Sequence, residues 1–235
     1  MEDHTMELDL EPEGSLSIEC VVDGPIETNT YFVMSEGEAV IIDPGWEGEK
    51  LVQGFKERHP DLAVTAIIST HAHADHTGGV AGARRQLGPG VPYLISAVDA
   101  PMVESDVVRM RDKWGFDYES PGEPTRLLEE GDTVPVGPVR LQVFLVPGHT
   151  PGGIVLFAAA REGPVAFVGD TLFPGSHGRT DLPGGSEEAI MRSLAKMARL
   201  LPKETLCLTG HNESTTMARE LRGNPYVVEA CRRYR

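Results

Sequence analysis

The stretch His71-Ala72-His73-Ala74-Asp75-His76 places three of the protein's eight histidines and one carboxylate close together. Neutral imidazole and carboxylate groups are ligands of divalent metal ions, so the stretch indicates a metal site. It follows Ala66-Ile67-Ile68-Ser69, which predicts a short buried strand, and it precedes Gly78-Gly79, where we expect a tight turn into a helix. Purification tags also cluster histidines, but they lie at chain termini. The motif therefore predicts ligands on a loop at the end of a strand.

The composition is ordinary for a soluble globular protein, and 235 residues can bury a substantial core. There are 36 acidic and 21 basic residues, which disfavours nucleic acid as a partner because a polyanion would be repelled. The odd number and wide spacing of the cysteines favour a reducing compartment over a disulfide framework. These are Cys20, Cys207 and Cys231. Because we find neither a secretory signal nor a bilayer-spanning stretch, we expect a cytoplasmic protein with no membrane partner.

The pattern of apolar residues predicts alternating strands and helices. Residues 1–15 are acidic and contain Pro12 and Gly14, which predicts a flexible lead-in to a single domain over residues 16–235. We predict strands at Leu16–Val22, Tyr31–Met34, Ala39–Ile42, Val64–Ser69, Tyr93–Ser96, Val134–Val136, Val139–Val146, Ile154–Ala158, Val165–Val168 and Leu206–Thr209. We predict helices at Glu47–Arg58, Gly79–Leu87, Val98–Lys113, Glu187–Leu200 and Pro225–Arg233.

This order of elements predicts an α/β fold. Two β-rich halves are expected to face each other with helices outside, as a four-layer αβ/βα sandwich. The glycine-rich segment Thr171–Gly185 predicts a long functional loop without secondary structure.

Three later segments share one pattern, in which an apolar run is followed by a glycine and a potential ligand. They end in Gly148-His149, Gly169-Asp170 and Gly210-His211. Glycine permits a sharp backbone turn that would direct the next side chain toward the edge of a sheet. If these strands and the strand before His71 share an edge, seven ligands converge. Seven ligands are too many for one tetrahedral zinc ion and suit two metal ions that share a bridging carboxylate.

The motif at residues 71–76 resembles the His-x-His-x-Asp-His signature of the metallo-β-lactamase superfamily. The resemblance extends from Leu16 to the C-terminus and includes Asp43, where the family keeps an aspartate near its metals. It implies a four-layer αβ/βα sandwich of the metallo-β-lactamase type and two divalent metal ions, zinc first, with iron or manganese as alternatives. Carried over residue by residue, it implies one metal on His71, His73 and His149, the other on Asp75, His76 and His211, and a bridge at Asp170.

Two segments are similar to a loop of the glyoxalase II-like branch, which contains hydroxyacylglutathione hydrolases and short single-domain relatives. They are Gly169–Phe173 and Gly178–Gly185. The resemblance implies hydrolysis of a thioester such as S-lactoylglutathione, so that the partner is a small molecule, a glutathione or other thiol conjugate. Asp170 argues against an antibiotic-hydrolysing β-lactamase, because those members typically carry a cysteine there. Only 24 residues follow His211, so we expect no counterpart of the helical region that binds glutathione in classical glyoxalase II, and glutathione recognition does not follow.

The expected mechanism is attack by a metal-bridging hydroxide on the substrate carbonyl, because two metal ions lower the pKa of a bridging water from about 15.7 to roughly 7. Asp75 and Asp170 are the expected catalytic residues and would orient this nucleophile. Rival hypotheses are a lactone hydrolase, a non-catalytic regulatory module that binds metal, and a persulfide dioxygenase. In the last case His71, His149 and Asp170 would hold a single Fe(II).

Four further residues are candidates for contact with substrate or for support of the ligands. They are Asp43, His177, Arg179 and Asp181. For Arg179 and Asp181 we favour an ion pair that braces the glycine-rich loop. Trp46 and Trp114 are expected to be packing residues rather than a platform for substrate. The oligomeric state does not follow from the sequence.

Overall fold

Two six-stranded β-sheets form the framework of the computed structural model, which describes residues 6–234. The strands of the first sheet are Ser17–Asp23 (β1), Thr28–Ser35 (β2), Glu38–Ile42 (β3), Ala63–Ile68 (β4), Tyr93–Ser96 (β5) and Arg126–Leu128 (β6). They lie side by side in that order. The second sheet contains Thr133–Val136 (β7), Val139–Leu145 (β8), Ile154–Ala160 (β9), Gly163–Gly169 (β10), Leu206–Thr209 (β13) and Thr215–Thr216 (β14). Its spatial order is β14-β13-β10-β9-β8-β7.

A separate two-stranded hairpin, seven α-helices and one 3₁₀ turn complete the regular structure of residues 6–234. The hairpin pairs Leu172–Phe173 (β11) with Ser176–His177 (β12). The helices are Gly48–Arg58 (α1), Ala74–Thr77 (α2), Val80–Leu87 (α3), Val103–Trp114 (α4), Glu187–Leu200 (α5), Met217–Gly223 (α6) and Pro225–Arg233 (α7). Within these residues, no helix combines the length and apolarity that crossing a bilayer requires.

The buried strands supply side chains to two cores at once, which explains the layered architecture. Along β2, Tyr31 and Val33 belong to the core between the two sheets, whereas Phe32 and Met34 belong to the core on the outer face of the first sheet. Successive side chains of a strand point to opposite faces, so a strand that is apolar throughout must be covered on both sides. Helices α1 and α3 cover the first sheet, and α5 and α7 cover the second. This arrangement confirms the predicted four-layer αβ/βα sandwich.

The direction of the strands brings the candidate ligands to one edge. Strand β9 is antiparallel to both β8 and β10, and β10 is parallel to β13, so β8, β10 and β13 all end at the same edge of the second sheet. The loop after β4 joins this edge, because the amide of Ile154 donates to the carbonyl of Thr70 at 2.9 Å. Ends of like-directed strands are where open α/β sheets commonly bind ligands.

Most of the predicted elements begin and end within a few residues of the observed ones. The predicted helix Val98–Lys113 starts later, with a single 3₁₀ turn at Ala100–Met102 before α4. The short elements β6, β14, α2 and α6 were not predicted. The prediction that Thr171–Gly185 lacks secondary structure is wrong, because Pro174-Gly175 forms the turn of the β11–β12 hairpin, with a φ of 69° at Gly175 that suits glycine.

The predicted lead-in contacts the rest of the chain from Met6 onward. Met6 and Leu8 pack beside the apolar core under α5 and α7, and the Asp9 carboxylate pairs with Arg140 at 3.1 Å. Residues 1–5 lie outside the described residues, and the flexibility of the lead-in stays a prediction.

Candidate metal centre

Four loops at the shared edge bring the seven predicted ligands together. The loop after β4 and helix α2 contribute four of them, and the segments after β8, β10 and β13 contribute one each. They are His71, His73, Asp75, His76, His149, Asp170 and His211. Each of the last three follows a glycine at the end of its strand, as the sequence pattern predicted.

His71, His73 and His149 form a first cluster of imidazoles. The Nδ1 atom of His73 lies 3.1 Å from Nε2 of His71 and 2.9 Å from Nε2 of His149. Ligand atoms on a tetrahedral zinc ion, each about 2.0–2.1 Å from the metal, lie roughly 3.3 Å apart. Burial and the neighbouring His149 lower the pKa of His73 to about 3, and burial also holds the pKa of His71 well below its usual value. His71 and His73 are therefore neutral, the form that binds a metal ion.

Asp75, His76 and His211 form a second cluster. The Nε2 atom of His211 lies 3.2 Å from Nε2 of His76 and 3.2 Å from Oδ2 of Asp75. Burial opposes ionisation of Asp75, but the adjacent His76 and His211 outweigh it and hold its pKa well below the usual range. Burial likewise disfavours a charged His76, yet the carboxylates around it raise its pKa to about 10. This cluster therefore favours positive charge at its centre.

Asp170 lies between the two clusters. Its Oδ2 atom is 3.5 Å from Nε2 of His149 in the first cluster and 3.5 Å from Nε2 of His211 in the second. Its Oδ1 atom is 3.5 Å from Nε2 of His76. Oδ1 is buried and accepts no hydrogen bond from any described residue, which is rare for a buried carboxylate oxygen in a folded protein. A carboxylate in this position fits a bridge between two cations, and the donor set fits two divalent metal ions.

The distal nitrogens of two histidines are held by backbone carbonyls. Nδ1 of His149 lies 2.7 Å from the carbonyl oxygen of Arg179, and Nδ1 of His211 lies 3.2 Å from that of Glu27. A carbonyl only accepts hydrogen bonds, so Nδ1 is the donor in each contact and Nε2 is the nitrogen left to bind a metal ion. These two hydrogen bonds orient the rings so that the Nε2 atoms of His149 and His211 face the clusters.

Asp43 supports both clusters from beneath. Its carboxylate accepts hydrogen bonds from the amide and hydroxyl of Thr70, both at 2.7 Å. The Thr70 hydroxyl oxygen in turn lies 3.0 Å from Nδ1 of His71, and Asp43 Oδ2 lies 3.0 Å from Nδ1 of His76. Through these contacts Asp43 orients one histidine of each cluster.

Two buried aspartates that were not among the sequence candidates hold the loop that carries His71 and His73. Asp99 accepts hydrogen bonds from the amide of Ala72 at 2.9 Å and from that of Gly152 at 2.6 Å, so it joins this loop to the loop that carries His149. Asp106 accepts from the amide of Ala74 at 2.9 Å. The sequence could have indicated that Asp106 is buried, because it lies on the same apolar face of α4 as Met110.

The remaining candidates lie farther from the clusters. Arg179 and Asp181 form a bidentate ion pair with both contacts at 2.7 Å, the arrangement favoured from the sequence. For His177 the sequence left open contact with the cavity or exposure to solvent, and its role stays a prediction. Its ring packs edge-on against Tyr226 of α7, with the centroids 4.3 Å apart, and its Nε2 lies 3.5 Å from Glu187, because β12 lies against α7.

A cavity of about 510 Å³ opens beside the two clusters. Five of the seven candidate ligands line its floor, and its wall contains the apolar side chains of Ile26, Met110, Trp114, Phe116, Phe173 and Leu182. The expectation that both tryptophans are packing residues is wrong for Trp114, the last residue of α4, which lines the cavity and is 61% exposed. Trp46 instead packs edge-on against Tyr118.

Comparisons with known proteins agree with this architecture. A family model described as the metallo-beta-lactamase superfamily matches residues 23–211. "Probable metallo-hydrolase YqgX" of Bacillus subtilis is 34% identical over 211 residues, which cover 87% of this chain and 94% of that protein. Hydroxyacylglutathione hydrolase GloC of Haemophilus influenzae is 32% identical over 193 residues, which cover 82% of this chain and 88% of that protein.

Solved structures show the same fold. The crystal structure of BLEG-1 B3 metallo-beta-lactamase superposes with a TM-score of 0.81 at 31% identity, covering 90% of this chain and 99% of that one. TTHA1623 in a di-iron-bound form superposes with a TM-score of 0.79 at 39% identity, covering 88% of this chain and 99% of that one.

Proposed function

Because this chain belongs to the metallo-β-lactamase superfamily, we propose that it is a metal-dependent hydrolase that cleaves a thioester. The observation that carries the proposal is the position of Asp170 between two clusters of candidate ligands at the floor of a cavity. Similarity to a hydroxyacylglutathione hydrolase supports the thioester as the bond that is cleaved. The free thiols of the three cysteines support a cytoplasmic location.

The proposed ligand sets are the two clusters, with Asp170 shared between them. Two divalent metal ions bound there would supply a water of lowered pKa and polarisation of the substrate carbonyl. We propose zinc, with iron or manganese as alternatives; the di-iron form of a similar protein supports iron as a metal that this fold accepts.

The protein's own groups orient the reactants. The ionised carboxylate of Asp75 lines the cavity floor, where it can accept a hydrogen bond from the attacking water. Asp170, which follows β10, lines the same floor and, with Asp75, directs the water oxygen toward the carbonyl carbon. A bond forms between these two atoms, the carbon–sulfur bond breaks, and the departing thiolate takes a proton from the water.

Metal analysis coupled to a substrate panel tests this function. We expect about two metal ions per chain and hydrolysis of thioesters, with little activity on lactones. His73→Ala and Asp170→Ala should each lower turnover by about a thousandfold or more while leaving the circular dichroism spectrum unchanged. His59→Ala is the matched control, since His59 pairs with Glu19 away from the cavity.

Two results would overturn the proposal. Full activity in both His73→Ala and Asp170→Ala would exclude the metal mechanism. One iron per chain together with oxygen consumption on glutathione persulfide would assign the site to a dioxygenase instead.

A further inference from the structure

The cavity beside the candidate metal centre has an apolar wall formed by separate parts of the chain. Helix α4 contributes Met110 and Trp114, the residue Phe116 follows it, and Ile26 lies in the turn between β1 and β2. The exposed indole of Trp114 is notable, because large aromatic side chains at the mouth of a cavity commonly contact ligands.

The basic side chains that line this cavity are already paired with carboxylates. Among the described residues that line it, Arg109 and Arg179 are the ones that carry guanidinium or ammonium groups. Arg109 contacts Asp106 through Nε and Nη2, both at 2.6 Å. Arg179 forms the bidentate pair with Asp181. A ligand with several carboxylates would have to break these charge-assisted contacts before it gained new ones.

Resting on the proposed thioester hydrolysis, we propose that the preferred substrate carries an uncharged, apolar aryl or medium-chain alkyl group rather than the charged peptide of glutathione. This group packs on Trp114, Phe116 and Met110 while the scissile carbonyl reaches the floor between the two clusters. A volume of about 510 Å³ suits a substrate of this size. Trp114 is thus a specificity-determining residue.

A binding measurement on the metal-free protein tests the cavity without reference to turnover. The probe is a neutral dye whose fluorescence depends on polarity, 6-propionyl-2-dimethylaminonaphthalene. We expect Trp114→Ala to weaken its binding by about tenfold, because much of the aromatic contact area is lost. Val228→Ala on α7 is the matched control, because it truncates another exposed apolar side chain, 48% exposed, and should leave binding unchanged.

Kinetics of the metal-loaded protein then test the substrate class. S-benzyl thioacetate and S-lactoylglutathione are compared in the wild type and in Trp114→Ala. We expect the wild type to have the higher kcat/KM for S-benzyl thioacetate. The substitution should lower that value by about tenfold, mainly through KM, and change the value for S-lactoylglutathione less than twofold.

The outcomes separate this inference from the proposed function. If thioesters are hydrolysed but Trp114→Ala changes neither dye binding nor KM, or lowers kcat/KM equally for both substrates, the apolar site is wrong and the hydrolase stands. A wild-type preference for S-lactoylglutathione would also overturn the apolar site. If no thioester is hydrolysed but S-benzyl thioacetate displaces the dye in a Trp114-dependent manner, the hydrolase is wrong and the apolar site stands.

Discussion

Asp43 Oδ2 lies 3.0 Å from Nδ1 of His76, and both side chains are buried. The same carboxylate accepts both hydrogen bonds of Thr70, so one aspartate organises the support beneath the two clusters. Its backbone has a φ of 52°, a left-handed conformation that aspartate and asparagine tolerate better than most residues. Asparagine can therefore replace Asp43 without a change of backbone.

We expect Asp43→Asn to weaken metal binding at the cluster of Asp75, His76 and His211 by about 10–100-fold, because His76 loses its charged partner. Calorimetric titration of the metal-free variant with zinc measures the effect. Asp61→Asn, which changes an exposed aspartate, is the control. Equal zinc affinities in the two variants would contradict this role of Asp43.

Gly210→Ala is expected to damage the metal centre directly. A Cβ atom at this position would lie 2.1 Å from Oδ1 of Asp170 and 2.7 Å from Cε1 of His76, so a ligand must move. We expect loss of bound metal and a decrease of about 1–3 kcal/mol in the free energy of unfolding, the usual range for overpacking. Metal content and urea denaturation check both effects. At Gly223 an added Cβ meets no atom within 4 Å, so Gly223→Ala should retain its metal.

Glu220 anchors the β11–β12 hairpin to the C-terminal helices. It is 1% exposed and accepts hydrogen bonds from the amide of Gly175 at 2.8 Å and from Nδ2 of Asn224 at 2.9 Å. We expect Glu220→Ala to lower the free energy of unfolding by about 3 kcal/mol, because the buried amide group of Asn224 and the partly buried amide of Gly175 lose their acceptor. Glu220→Gln keeps an acceptor oxygen and should cost less than half as much. Equal losses in urea denaturation would contradict this account, because glutamine keeps both the volume and one acceptor oxygen of Glu220.

Asp23 is expected to make stability depend on pH. Burial disfavours its charged form and raises its pKa to about 7. Between pH about 4 and about 7 the unfolded chain ionises Asp23 while the folded chain keeps it protonated. The free energy of unfolding of the wild type should therefore fall, relative to Asp23→Asn, as pH rises through this window, and the difference should be constant above it. Denaturation series at several pH values measure this; parallel curves for the two proteins would exclude it.

The local pattern of the sequence was sufficient to predict most of the strands and helices and to identify the candidate ligands. A strand and the turn at its end can be predicted from an apolar run that is followed by a glycine and a ligand. All three features lie within a few neighbouring residues. The resemblance of residues 71–76 to a family signature added the grouping of the ligands. The hairpin at β11–β12 was missed because its two-residue strands are too short to show a period.

The sequence by itself determined which side chains can bind metal and at which strand ends they stand, because secondary structure and backbone exits depend on neighbouring residues. Only the tertiary structure decided how these ends meet and what holds them. Asp99 and Gly152 are separated by 53 positions, and their hydrogen bond exists because packing of the two sheets brings their loops together. The same packing places Asp170 between the clusters and leaves Trp114 exposed at the cavity, two relationships that depend on contacts between distant segments.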